Sequence, residues 1–141
     1  FPALHGEKAG VGTLLAAREY KRLAEIGGAA PAVQRYTPFP TEEMRVFFGE
    51  RLCRSIEEEN RCDCLAEVTP ERLGESWQQL REIIAAIPAP EELFRVLEGL
   101  DAKRTPEDIG VSSADLDKLL RCSPLVRNRL TLMRARRMII E

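Results

Sequence analysis

A chain of 141 residues, 44% hydrophobic and 31% charged, can bury a core without crosslinks and is too rich in apolar residues to remain disordered. A formal net charge of −2 gives no general attraction for nucleic acid or an anionic membrane. No apolar run approaches the ~20 residues that span a bilayer, and no secretory signal pattern opens the chain, so a cytoplasmic setting is expected.

Helical periodicity dominates, and no alternation of period two extends beyond a few residues. The expected fold class is therefore all-α, a bundle of about six helices making one domain over residues 1–141. The chain starts at Phe1 rather than Met, in sequence that reads as the inside of a fold, so it is expected to be a fragment of a longer protein.

The first helix is expected to start between Glu7 and Gly10 and to run to Ile26, where Gly27-Gly28 stops it. From Ala9 to Ala17 it is small or apolar all round, which implies burial on every side. Farther on, Arg18, Glu19, Lys21, Arg22 and Glu25 share one face, with Tyr20, Leu23 and Ala24 opposite. A connection punctuated by Pro31, Pro38 and Pro40 follows.

Thr41 is the expected cap of a second helix, with Glu42 and Glu43 in its first turn. Met44, Phe48, Leu52 and Ile56 step by four along its apolar side, and Glu57-Glu58-Glu59 fall on a solvated one. Asn60 to Thr69 reads as a polar connection carrying Cys62 and Cys64. Pro70 suits the first turn of a third helix, whose stripe is Leu73, Trp77, Leu80, Ile84 and Ile87. Trp77 at that spacing reads as core.

Glu91 and Glu92 open a fourth helix after Pro88 and Pro90, with Leu93, Phe94, Val96, Leu97 and Leu100 inward. A loop with a Pro-Glu-Asp turn leads to a fifth helix, capped by Ser112 or Ser113 and bearing Leu116, Leu119 and Leu120. The last helix is expected from Ser123 to Ile139. It sets Arg127, Arg129, Arg134, Arg136 and Arg137 against Val126, Leu130 and Met133. Apolar residues between these arginines and the absence of aromatics among them argue for a docked helix rather than a nucleic-acid face. Arg127 or Arg129 could hold an anionic substrate group.

Cys53, Cys62, Cys64 and Cys122 are irregularly spaced and read as reduced thiols; Cys62-x-Cys64 lacks the spacing of a zinc knuckle. His5 is the only histidine, and catalytic zinc needs three protein ligands, so His5 cannot hold a metal alone. Gly6, Gly10 and Gly12 do not form a dinucleotide fingerprint, and their expected work is to let another group approach the helix backbone.

The stretch Phe1-Pro-Ala-Leu-His-Gly-Glu-Lys-Ala-Gly-Val-Gly-Thr-Leu-Leu resembles the second metal-ligand histidine segment of the iron-containing alcohol dehydrogenase superfamily. That group includes glycerol dehydrogenase and is related in fold to dehydroquinate synthase. Thr105-Pro-Glu-Asp-Ile-Gly-Val-Ser and Leu125-Val-Arg-Asn-Arg-Leu-Thr-Leu-Met are similar to the tail of the sn-glycerol-1-phosphate dehydrogenases, with Leu130 in place of the usual aromatic. The resemblance implies the C-terminal helical domain of a dehydroquinate synthase-like fold. It implies partnership with an N-terminal nucleotide domain, lying outside this chain, that binds NAD or NADP.

It further implies a zinc or nickel ion held by an Asp and two histidines, of which only the last maps here, onto His5. The implied substrate is a small phosphate, dihydroxyacetone phosphate reduced to glycerol-1-phosphate. The chain alone would bind neither metal nor cofactor and would be inactive, and the whole protein could be a homo-oligomer. Alternatives are glycerol dehydrogenase, another iron-containing alcohol dehydrogenase, or a non-enzymatic helical interaction module.

Overall fold

Glu7 starts the first helix earlier than the sequence suggests. In a computed structural model that describes residues 2–141, α1 spans His5–Gly27, and Glu7 Oε2 reaches back to accept the Leu4 N–H at 2.7 Å. That bond satisfies a donor left open at the helix start. The other α-helices are α2 (Thr41–Glu59), α3 (Pro70–Ala86), α4 (Pro90–Gly99), α5 (Leu116–Cys122) and α6 (Leu132–Ala135). Helix accounts for 69% of the chain, and the described residues hold no strand. The fold class is all-α, as the periodicity requires. Among the described residues no helix is long and apolar enough to cross a membrane.

Two compact units are present: residues up to Ile26 with Gln79–Leu116, and Gly27–Gln78 with Asp117–Glu141. In the first, Val11, Leu14, Leu15 and Leu23 of α1 are buried, as is Ile84 of α3. Lys21 reaches from α1 to the C-terminal end of α3, donating to the carbonyls of Ile84 (2.7 Å) and Ile87 (2.8 Å). A cation there meets the negative end of the α3 dipole and satisfies carbonyls that the helix leaves open. Pro90 and Glu92 begin α4, with Glu92 Oε2 accepting the Ala89 N–H at 3.2 Å.

The Thr-Pro-Glu-Asp stretch is a reciprocal cap. Asp108 Oδ2 accepts the N–H groups of Arg104 (3.1 Å) and Thr105 (3.0 Å), while Thr105 Oγ1 accepts the Asp108 N–H at 3.2 Å. These bonds order the short 3₁₀ turn Glu107–Ile109.

In the second unit the core gathers Phe39, Met44, Cys53, Ile56, Cys122 and Leu125, with Phe47 and Phe48 packed against it edge to face at 4.9 Å. Trp77 is buried as expected, and its Nε1–H donates to the Gly28 carbonyl at 3.0 Å. Gly27 makes room for it: a Cβ there would lie 2.2 Å from Trp77 Cζ2.

Several local expectations are corrected. Pro40, not Thr41, occupies the N-cap of α2, and it offers no side-chain bond. Gly49 breaks that helix with φ 76° and ψ 159°, and the step of four fails at one position: Met44 and Ile56 are buried, but Leu52 is exposed and Cys53 takes the inward place. The N-terminal half of α1 is not buried all round, because Ala9, Gly12 and Thr13 face solvent. Val96 and Leu100 point outward rather than into the core.

Glu19, expected on a charged outer face, is buried and chelated by Arg22 through bonds of 2.9 and 2.6 Å. The long last helix does not form. Ser123–Val126 is 3₁₀, Arg127 to Thr131 is irregular, and α6 is only Leu132–Ala135, capped by Thr131 Oγ1 accepting the Arg134 N–H. Side-chain bonds from Asn128 and Thr131 to backbone outcompete the helix there.

Candidate functional site

His5 is the first residue of α1, and it is exposed. Helical spacing places Ala9 and Gly12 on its face, with Gly6 and Thr13 flanking, and all four are exposed too. A Cβ on Gly6 or Gly12 would meet nothing within 4 Å, so the helix is open at these glycines, while the exposed Lys8 stands one turn from His5 on the same side. Gly10 points the other way. A Cβ there would lie 3.3 Å from Leu97 Cδ2 of α4, so the close neighbour that Gly10 admits is another helix.

The residues present do not complete a metal site around His5. Among the described residues no group of three His, Cys, Asp or Glu side chains could hold an ion. One imidazole leaves two of the three protein positions of a catalytic zinc unfilled. The four cysteines are free thiols: Cys53 and Cys122 are buried in the core, Cys64 is half-buried and Cys62 exposed. Burial pushes the thiols of Cys53, Cys64 and Cys122 above their ordinary range, away from the reactive thiolate.

The arginines of the tail divide into two sets. Arg127 and Arg129 are exposed on the irregular stretch, where the Arg129 N–H donates to the Arg127 carbonyl at 2.9 Å and makes a tight turn at Asn128. Between them Asn128 points inward, accepting the Cys64 N–H (2.9 Å) and donating to the Cys62 carbonyl (2.8 Å). So the Arg-Asn-Arg element is in part a clasp holding the tail to the Cys62–Cys64 loop.

Arg134 and Arg137 converge on Asp63. Arg134 is 1% exposed and Asp63 7%; Nη1 lies 2.9 Å from Oδ1, while Nη2 donates to Asn60 Oδ1 and to the carbonyls of Pro124 and Arg127. Arg137 Nη1 is 3.7 Å from Asp63 Oδ2, and its guanidinium stacks over Phe39 at 4.9 Å and Tyr36 at 5.7 Å. Burial lowers the pKa of Arg137 while the Asp63 carboxylate opposes that drop. Burial and the same carboxylate raise that of Tyr36.

None of Asn60, Asp63, Asn128 or Arg134 stood out in the sequence as a joined cluster. Asn60 and Arg134 are 74 residues apart, and no local period links them. An Asp between two cysteines in a polar stretch carries no signal of its own.

No protein-family model, curated protein or solved structure matches the chain.

Proposed function

We propose that the chain is the helical C-terminal part of a cytoplasmic, metal-dependent NAD(P)-linked dehydrogenase that reduces dihydroxyacetone phosphate to glycerol-1-phosphate. His5 contributes one ligand to a zinc or nickel ion; the other ligands and the nucleotide site belong to sequence outside this chain. The His-Gly segment and the Arg-Asn-Arg tail support the reading by their order and their similarity to that family. The observation that carries it is the open face of α1, with His5 at its head and Gly6, Ala9, Gly12 and Thr13 behind. The small residues at these positions let a second domain and its ligand come close to the helix beside the imidazole, with the exposed Lys8 on the same side.

The proposal carries with it that the chain on its own turns over no substrate, since one imidazole is a single ligand of the three that a catalytic zinc takes.

The test uses the longer protein that contains this chain. Wild type should retain about one zinc or nickel per chain through gel filtration and oxidise NADH or NADPH with dihydroxyacetone phosphate. His5→Ala should lose the metal and the turnover while keeping its circular dichroism, because an exposed side chain adds little to the fold. Metal content and turnover unchanged in that variant would overturn the assignment of His5; a wild type without this activity would overturn the family.

A further inference from the structure

The second unit contains a groove that the dehydrogenase reading does not use. Its volume is about 340 Å³; Pro38 and Phe39 form one side, and Arg136, Arg137 and Glu141 from the tail face them with Arg121 of α5. Three guanidinium groups and the Glu141 carboxylate line it, and each arginine is also faced by a carboxylate from just outside the lining.

Backbone pairing holds the two sides together. Val33 and Ile139 form an antiparallel bridge, the Gln34 N–H donates to the Met138 carbonyl at 2.8 Å, and the Ile140 N–H donates to the Ala32 carbonyl at 2.9 Å. Gln34 Nε2 also donates to the Arg137 carbonyl at 2.9 Å, and Arg137 Nη2 donates to the Thr37 carbonyl. Prolines at 38 and 40 stiffen the connection further. The groove is therefore shaped before any ligand arrives, which reduces the ordering cost of binding.

The arginines are suited to an anion. The Arg136 and Arg137 side chains are only 11% and 16% exposed, so their charges act in a poorer dielectric than surface charges do. Arg121 is half-exposed at the mouth. Each already faces a carboxylate: Glu43 at 2.7 Å from Arg121, Asp117 at 3.5 Å from Arg136, and Asp63 at 3.7 Å from Arg137. The Glu43 and Asp117 carboxylates are themselves open to water, and such pairs are weak enough for a dianion to displace. Planar forks from two directions match the tetrahedral oxygens of phosphate better than a single carboxylate.

We propose that this groove binds a phosphate dianion, either free or as the head of a small phosphomonoester, with Arg121 and Arg136 as its ligands and Arg137 as the fixed cation behind them. The inference stands on the second unit alone and holds whether or not the dehydrogenase reading does.

Titration calorimetry of the full chain at low salt, with inorganic phosphate as the first probe, should show saturable binding. Arg121→Gln and Arg136→Gln should each weaken it about tenfold. Glu141→Gln should tighten it severalfold, because the lining loses a side-chain carboxylate. Arg51→Gln, at an exposed arginine outside the groove, should leave it unchanged. Glycerol phosphate is the second probe: tighter binding than inorganic phosphate identifies an ester as the occupant, and equal binding identifies free phosphate.

Circular dichroism is read for every variant. Arg121 is exposed, so Arg121→Gln decides the question if Arg136→Gln does not fold. No saturable binding at millimolar phosphate would overturn the proposal. So would binding that Arg121→Gln and Glu141→Gln leave unmoved, or that Arg51→Gln weakens as much.

Discussion

Asp63 joins the tail to the loop after α2, and its surroundings set what its loss would do. The carboxylate is buried against the Arg134 and Arg137 guanidinium groups and also accepts the Leu65 N–H at 2.9 Å. Removing one member of a buried pair strands the other charge, which typically destabilises by ~3–5 kcal/mol. Asp63→Ala should therefore lower the urea midpoint by an amount corresponding to ~3–5 kcal/mol at unchanged slope. The paired change Asp63→Leu with Arg134→Met should not recover that loss, because it leaves the Arg137 guanidinium without its carboxylate and the Pro124 and Arg127 carbonyls without their donor. A single-variant loss below ~1 kcal/mol would show that the pair does not anchor the tail.

Asp108 gives a pH-dependent effect at the same scale. Bonds from the Arg104 and Thr105 N–H groups hold its carboxyl below the ordinary value of 3.8. Its folded pKa is lower than its unfolded one, so its stabilisation is present above pH 3.8 and is lost as pH falls through the folded value. The amide signals of Arg104 and Thr105 should shift together on acidification below pH 3.8 and be insensitive to it in Asp108→Asn. The sequence shows a Pro-Glu-Asp turn here, and the reciprocal bonds of Thr105 and Asp108 account for it. It hides Asp63, whose partners lie in the tail.

At the scale of elements, what a period can reveal depends on whether the helix stays intact. In α3 the stripe Leu73, Trp77 and Ile84 is buried as its spacing predicts. In α2 the same reasoning holds for Met44 and Ile56 but fails at Leu52, just beyond Gly49, where a residue at φ 76° and ψ 159° interrupts the helix and Cys53 turns inward instead. Only glycine occupies that region readily, so a glycine in mid-stripe is the one mark that the sequence offers. The tail misleads for another reason. Its apolar spacing is helical, yet Asn128 and Thr131 spend their side chains on backbone groups and keep the segment irregular.

Glycines in α1 allow a comparison within one element. Gly12 faces solvent, and an added methyl would find nothing within 4 Å, so Gly12→Ala should stabilise the chain by ~0.5–1 kcal/mol through helix propensity. Gly27→Ala places the methyl 2.2 Å from Trp77 Cζ2 and should cost ~1–3 kcal/mol by overpacking. Thermal midpoints of the two variants should move in opposite directions. Movement of both upward would mean that Trp77 swings away without loss, and its indole fluorescence would report that displacement.

For the whole molecule, charge and exposed apolar surface bear on solution behaviour together. A net charge of −2 on 141 residues supplies little mutual repulsion near neutral pH. In the first unit α4 buries none of its residues fully; Val96, 59% exposed, and Leu100, 72% exposed, follow each other at a spacing of four on one side. Apolar groups repeated along a helix face favour contact with another surface over contact with water. Sedimentation of the chain should therefore show reversible association that grows with protein concentration and strengthens with added sulfate. Val96→Lys combined with Leu100→Lys should shift it to monomer at unchanged helicity, since neither side chain belongs to the core. Association that survives both lysines would place the contact elsewhere on the surface, and a monomer at every concentration would mean that these side chains are too dispersed to hold two copies together.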